Sequence, residues 1–396
     1  MQEKTRILST VSIYHAINDG AISAVPILFP IFKEIYQLNY TQVGVITGIS
    51  LSVNLIAQLL IGNSADGRNS RTMLSLGILC ISASLLFITQ TTGFFSLLLF
   101  LMFLRFSASF FHPIGIGWIS RTFKQYKLDW AMGVQSGFAD LGAFIALSTT
   151  LLIAEIAGWS LPVYYWAAAG AASIIIAMIL TKDIEENHLI VKKEKSTTAH
   201  NKIHGYISLL HKMRLLIPAF IISGAAWGML STYLPLLLAE KTTLSLSFIG
   251  YIAAIWLGIG CITSFFYGKI QTVIGRKNVL ILSYFTIGIS CILLFLYVNI
   301  PLFIAIMVLL GITVFLTYPA LFSFISEITH ESAEGGTFGA TFTLQLGGGT
   351  ILIFISGFIS DLFGIAYPFL ILGIPALVLS GILFFYRKKA FTIRYL

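Results

Sequence analysis

Apolar stretches of about 20 residues recur from one end of this 396-residue chain to the other, and that recurrence dominates what the chain can fold into. Each is long enough to cross a hydrocarbon core of ~30 Å as a helix. Barrel strands would be about half that length and would alternate polar with apolar residues, which these stretches do not. With 57% hydrophobic and 10% charged residues, against about 25% charged in soluble domains, the chain reads as an integral membrane protein. Twelve spans are predicted, at about 8–30, 41–61, 72–92, 95–119, 130–155, 163–181, 214–238, 247–267, 278–297, 302–326, 337–358 and 366–386. The first is too long for a signal peptide and lacks a small-residue cleavage site, so a retained helix is expected.

The net charge of +8 would suit a nucleic-acid partner if it were spread over a soluble surface. It is instead sorted by side. With the N-terminus inside, Lys4 and Arg6, Arg68 and Arg71, Arg121, Lys124 and Lys127 share one face. So do the basic residues from Lys182 to Arg214, from Lys269 to Lys277 and from Arg387 to Arg394. Only Lys33 and Lys241 face the other way, and Arg105 lies inside a span. Such asymmetry sets orientation, with both termini and the long middle loop cytoplasmic in the cell's inner (plasma) membrane. No nucleic-acid partner is expected. Cys80, Cys261 and Cys291 lie within spans, with no disulfide or metal-type spacing.

One long polar segment, 182–213, separates the spans six and six. The expected organisation is an amino-terminal six-helix bundle over 1–181, a cytoplasmic linker over 182–213, and a carboxy-terminal six-helix bundle over 214–396. A constant shift of 206 aligns the two halves without a gap: Gly44 with Gly250, Gly62 with Gly268, Pro113 with Pro319, Gly142 with Gly348, and Gly158 with Gly364. Because the shift covers an even number of spans, both copies keep one membrane orientation. The repeat is therefore parallel, related by an axis along the membrane normal.

Six plus six spans around a basic middle loop resemble the major facilitator superfamily. That resemblance implies an all-α membrane protein of twelve helices in two bundles. The loop GNSADGRNSR (62–71) is similar to the family's G-x-x-x-D-x-x-G-R-R signature through Gly62, Asp66 and Arg71, with Asn69 in place of the usual glycine. The second copy, GKIQTVIGRK (268–277), keeps Gly268, Gly275, Arg276 and Lys277 but has Thr272 where the acid would stand. Glycine permits a tight turn and close approach, and an acid there can cap a helix or pair with a base. Asp66 is therefore expected to latch an inner gate, with Arg121 or the start of the eleventh span as partner. The acidic run Glu327, Glu331 and Glu334 is a further gating candidate.

Ionisable side chains inside the spans are few: His15, Asp19, Arg105, His112 and Asp140. A charge at bilayer centre costs about 2.5–3.5 kcal/mol even on mild insertion scales, so such residues normally face a cavity and mark a pathway. His15, Asn18 and Asp19 share a helix face by their i, i+3, i+4 spacing. His15 and His112 each lie about seven residues in from the cytoplasmic end, Asp19 and Asp140 about ten, at ~1.5 Å per residue. The matching positions of the second half are Gly311, Tyr318 and Leu346 for Arg105, His112 and Asp140. The first-half cluster is read as the wall of a hydrated cavity with Arg105 as counter-ion; a static buried salt bridge is the plainer alternative. A carboxylate or imidazole that exchanges partners between two conformations can carry a proton.

YHAINDG in span one, Y-T-Q-V-G at the start of span two, Phe111-His112-Pro113 in span four and Gln135 with Gly137 in span five resemble the fosmidomycin-resistance branch of that superfamily. The branch's usual acid after His-Pro is Ile114 here. The resemblance implies proton-coupled export of a small polar, possibly anionic compound. Pro113 within a helix permits a kink.

The expected function is secondary active transport by alternating access. Drug or metabolite:H+ antiport leads over proton-coupled uptake of an organic anion. The proton gradient is the expected energy source, with no cofactor and no resident metal; no G-x-x-x-x-G-K-[ST] loop for ATP is present. The expected partners are a small-molecule substrate and the lipid bilayer, for a chain acting as a monomer. Two other classes are weighed: a transporter-like sensor, and a membrane-embedded metal enzyme with His15, Asp19 and His112 as a two-histidine, one-carboxylate site. The twofold repeat argues against the enzyme, and none is expected.

Overall fold

The computed structural model describes residues 2–64, 68–124, 126–184, 214, 216–297, 299–328 and 334–385. Among them no strand occurs, and twelve helices are long and apolar enough to cross a membrane. They run Glu3–Ile35, Tyr40–Gly62, Ser70–Ile88, Phe94–Thr122, Trp130–Ala157 and Ser160–Leu180 (spans one to six). Ile217–Lys241, Leu246–Ile274, Arg276–Leu296, Ile300–Leu321, Leu344–Phe363 and Tyr367–Phe385 follow as spans seven to twelve. Asp66, most of the 182–213 linker, and the side chains of Glu327, Glu331 and Glu334 lie outside the described residues.

The chain divides into two compact units. One comprises the described residues of Met1–Lys195 with Thr243–Ala254, the other those of Ser196–Thr242 and Ile255–Leu396. The inclusion of Thr243–Ala254 has visible causes. The Ser247 amide donates to Glu155 Oε2 at 2.7 Å and its hydroxyl donates to the same oxygen. A Cβ on Gly250 would lie 2.9 Å from the Leu147 carbonyl.

The repeat read from the sequence recurs in the packing inside each unit. Span one packs on five and six, and span three on four and six. In the second unit span seven packs on eleven and twelve, and span nine on ten and twelve. Gly142 of span five approaches so closely that a Cβ would sit 2.0 Å from the Ala16 carbonyl oxygen, and Gly224 of span seven stands in the same relation to Gln345 at 1.9 Å. Small residues at such crossings let backbones touch where lipid offers helices no hydrophobic drive to associate.

Helix ends repeat as well. Gly158 and Gly364, 206 residues apart, both have positive φ, at 87° and 112°. Asn39 forms a reciprocal cap with Gln42, its Oδ1 taking the Gln42 amide at 2.7 Å, and Ser245, 206 residues on, takes the Phe248 amide on its Oγ at 3.5 Å. At the start of span three Asn69 accepts from the Thr72 amide at 2.9 Å. The equivalent Gly275 starts span nine with φ 80° and no side-chain cap. The asparagine that replaces the expected glycine thus does a different job, capping where its counterpart turns.

Two spans are broken near proline. Span one is longer than the sequence suggested: a helix over Glu3–Ala24, a 3-10 turn over Pro26–Leu28 and a short helix over Phe29–Ile35. Span four is a helix over Phe94–Ala108, a π turn over His112–Ile116 and a helix over Gly117–Thr122. Pro113 lacks the N–H an α-helix would use there. The Ser109 amide turns to Phe106 O at 3.2 Å rather than to Arg105 O.

Candidate functional site

The helix over Glu3–Ala24 places His15 and Asp19 one turn apart, with His15 Nε2 3.6 Å from Asp19 Oδ2. That is too long for a hydrogen bond. The other ring nitrogen, Nδ1, lies 2.5 Å from Gln135 Oε1 and 3.1 Å from the Gln135 carbonyl on span five. Gln135 Nε2 donates to Met132 O at 3.1 Å and to Ser136 Oγ at 2.8 Å, so its oxygen is the atom turned toward the imidazole. Both Nδ1 partners are acceptors. Nδ1 therefore carries the hydrogen, and in the neutral ring Nε2 keeps the lone pair. That Nε2 is buried and has no hydrogen-bond partner.

Span four supplies the next wall. The His15 ring stacks on Phe111, centroids 4.0 Å apart at 22°, and meets His112 edge-on at 5.4 Å. His112 opens the π turn, and such turns are frequent at functional positions. Asn18 donates to Asp19 Oδ1 at 2.8 Å, which leaves Oδ2 to face the histidine. Asp19 also interacts electrostatically with Arg105, His112 and Asp140. It is the hub. His15, Asn18 and Gln135 are buried, whereas Asp19, Arg105, His112 and Asp140 are half-buried.

All seven site residues read from the sequence thus fall in the first unit. His15, Asn18, Asp19, His112 and Gln135 are in one cluster, and Arg105 and Asp140 act on Asp19 across longer distances. Span two contributes a residue that the sequence reading passed over. Asn54 Nδ2 donates at 2.8 Å to the Arg105 carbonyl that the span-four break releases. Gln58 Nε2 in turn donates to Asn54 Oδ1 at 2.8 Å. Two amides at i, i+4 in an apolar helix were the available signal. The second unit keeps no such charges at the matching layer. It carries a hydroxyl network instead, Ser223 with Tyr284 and Thr317 at 2.9 Å each, beside an aromatic group of Trp227, Trp256 and Phe315.

The gating candidates divide. Arg121 Nη2 donates to Ser70 Oγ at 2.7 Å, and Arg71 Nη1 donates to the Thr181 carbonyl at 2.7 Å. These bonds tie the start of span three to the ends of spans four and six. In the second unit Arg276 Nη1 reaches the Ser323 carbonyl at 3.4 Å, the corresponding junction of spans nine and ten, with the guanidinium on the other partner. Lys277 adjoins it at the start of span nine. Gly62 and Gly268 depart from expectation. Both lie inside helices rather than in turns: a Cβ on Gly62 would make ordinary contact with Pro113 at 3.4 Å, and one on Gly268 would meet nothing within 4 Å. Of the three gating glycines, only Gly275 needs its glycine for a backbone angle, with φ 80°.

The family model of the Major Facilitator Superfamily matches residues 11–241 and 216–393. The chain belongs to the major facilitator superfamily. Solved structures of that kind share its fold. A nucleoside transporter, NupG, superposes with TM-score 0.80 at 12% identity, covering 97% of this chain and 99% of that one. A POT family transporter in complex with a thioalcohol-conjugated peptide gives 0.80 at 12%, over 97% and 96%. A bacterial homologue of the human lysosomal transporter Spinster gives 0.73 at 14%, over 99% and 97%. Among sequence relatives, the uncharacterized MFS-type transporter YfnC of Bacillus subtilis (strain 168) is 28% identical over 109 residues, which spans 28% of this chain and 27% of that relative's length. Membership makes this a multi-pass membrane transporter and not an enzyme, so the membrane-embedded metal enzyme weighed from the sequence is set aside.

Proposed function

We propose that this transporter exports a small polar, anionic solute in exchange for protons, as the resemblance of spans one, two, four and five to the fosmidomycin-resistance branch implies. The observation that carries the reading is the position of Asp19. One carboxylate faces the lone pair of His15, is bonded by Asn18, and feels Arg105, His112 and Asp140 from two other spans.

Burial and a nearby cation act on a carboxylate in opposite directions. Desolvation of an ion costs several kcal/mol, and an opposite charge repays it only while the partner stays near. When Asp19 takes a proton, Arg105 loses its counter-charge and is released to hold an anionic group of the solute. When the solute leaves, the guanidinium favours the ionised acid again. Proton and anion binding therefore favour each other through Arg105, a linkage that also suits proton-coupled uptake of an organic anion; export in exchange for protons rests on the resemblance. Each proton contributes about 1.4 kcal/mol per pH unit and about 2.3 kcal/mol per 100 mV. We take both termini as cytoplasmic in the plasma membrane, the chain as a monomer, and the proton gradient as the sole energy source.

A screen in proteoliposomes with an internal pH dye tests the reading. Organic anions and fosmidomycin-like phosphonates are added against a fixed pH difference, for the wild type and Arg105→Ala. An active anion is expected to drive proton movement through the wild type and not through the variant. Equal activation of both, or activation by cations alone, overturns it.

A further inference from the structure

We propose that His15, Asp19 and His112 form a binding site for a divalent late-transition-metal ion, with zinc as the best-suited probe. The three residues each offer one ligand atom, and these atoms all lie within 4.8 Å of one another. The sequence reading expected no resident metal, and the inference shares residues with the proton-coupling proposal without depending on it.

Four observations carry it. First, His15 Nε2 is buried, holds the lone pair, and has no hydrogen-bond partner. A buried imidazole nitrogen with its lone pair uncommitted is the atom a metal ligand offers. Second, its separation of 3.6 Å from Asp19 Oδ2 suits two ligands on one ion better than it suits a pair bonded to each other. Bonds of about 2.0–2.2 Å at tetrahedral angles put ligand atoms roughly 3.4 Å apart. The most distant pair closes by up to about 1.4 Å, a movement that rotation of the half-buried His112 side chain can supply.

Third, the surrounding bonds are those of a metal site. Metal-bound histidines donate their second N–H to a carbonyl, which fixes tautomer and ring plane, and ligating carboxylates are themselves hydrogen-bonded. Here Gln135 takes the His15 Nδ1 hydrogen through two oxygens, and Asn18 holds Asp19 Oδ1. Fourth, the charges permit a cation. Asp19 and Asp140 set two carboxyl groups against the one guanidinium of Arg105, and span two adds only the neutral Asn54 and Gln58. Two imidazoles select zinc, nickel, cobalt or copper over magnesium or calcium, which prefer oxygen. Three protein ligands leave at least one position open for water or an anionic solute. A bound ion would also join span one to the break in span four.

Zinc binding to the purified full-length chain tests this, by equilibrium dialysis with the metal quantified, and with Co2+ as a spectroscopic stand-in. A parent carrying His188, His200, His204, His211 and His330 as alanine removes the other five histidines of the sequence. One zinc per chain is expected in that parent, and a visible Co2+ band of a nitrogen–oxygen ligand set. Both are expected to vanish in His15→Gln and in His112→Gln, with the melting temperature reporting that each variant is folded. Gln135→Ala, which leaves all three ligands, is expected to weaken zinc about 10–100-fold. No stoichiometric zinc in the parent, or an unchanged Co2+ band in a folded His112→Gln, overturns the site. Proton-driven transport assayed with EDTA throughout separates the two proposals: its persistence leaves proton coupling standing whatever the metal result, and its absence leaves the metal site standing if zinc binds.

Discussion

The Nδ1 atom of His15 on span one lies 2.5 Å from Oε1 of Gln135 on span five, and that bond, with the backbone carbonyl of the same residue, sets which nitrogen of the imidazole faces Asp19. The Gln135 backbone carbonyl, 3.1 Å from the same nitrogen, favours the same tautomer. The contact therefore converts a helix-spacing coincidence at residues 15 and 19 into an oriented acid–base pair.

Gln135→Leu removes both the amide oxygen and the amide donor. Loss of one partner from a buried hydrogen bond costs about 1–3 kcal/mol. A melting temperature lower by several degrees is expected, with proton-driven transport reduced about tenfold or more. Gln135→Glu, which keeps the acceptor, is expected to restore most of the stability. Transport of the leucine variant at the wild-type rate would show that the Gln135 side chain plays no part in coupling.

Asn54 is a structural prediction of a different kind. Its side chain satisfies the Arg105 carbonyl freed by the break before Pro113. Asn54→Leu buries that carbonyl unpaired, so a loss of about 1–3 kcal/mol is expected, read as thermal stability in detergent. The same substitution at Gln58, whose removal leaves the Asn54–Arg105 bond in place, is expected to cost less than about 1 kcal/mol. Equal effects at the two positions would contradict the assignment.

Glycines separate by environment. A Cβ at Gly142 meets the Ala16 backbone at 2.0 Å, and backbone cannot step aside cheaply. Gly142→Ala is expected to destabilise by about 3 kcal/mol or more. Gly268→Ala, with open space in a helix interior, is expected to be neutral or to gain up to about 1 kcal/mol. Unfolding curves of the two variants, measured side by side, check the contrast.

Much of this was legible in the sequence, and the exceptions share a cause. The number of spans follows from lengths of apolar sequence, and the His15–Asp19 relation from helix spacing; both are local. The repeat brought out Gly142 and Gly348 because one offset served all six spans. Asn54 was missed because its partner is a backbone carbonyl on another helix, freed where that helix ends at Ala108 and the Ser109 amide turns to Phe106. Gly62 and Gly268 were read as turn residues because glycine usually punctuates, yet the helices of spans two and eight run on through them. Asn69 differs from Gly275 for a reason that spacing does not reveal: a side-chain cap in one copy and a left-handed backbone in the other reach the same helix start.

Charge on span one is the centre of the account, and Asp19→Asn tests it most directly. The variant keeps the acceptor for Asn18 and nearly the same volume, but it cannot ionise. Its initial rate of solute accumulation under an imposed pH gradient is measured in proteoliposomes beside the wild type, with equal protein incorporated. The account predicts accumulation reduced at least a hundredfold in the variant. Accumulation at the wild-type rate would contradict it.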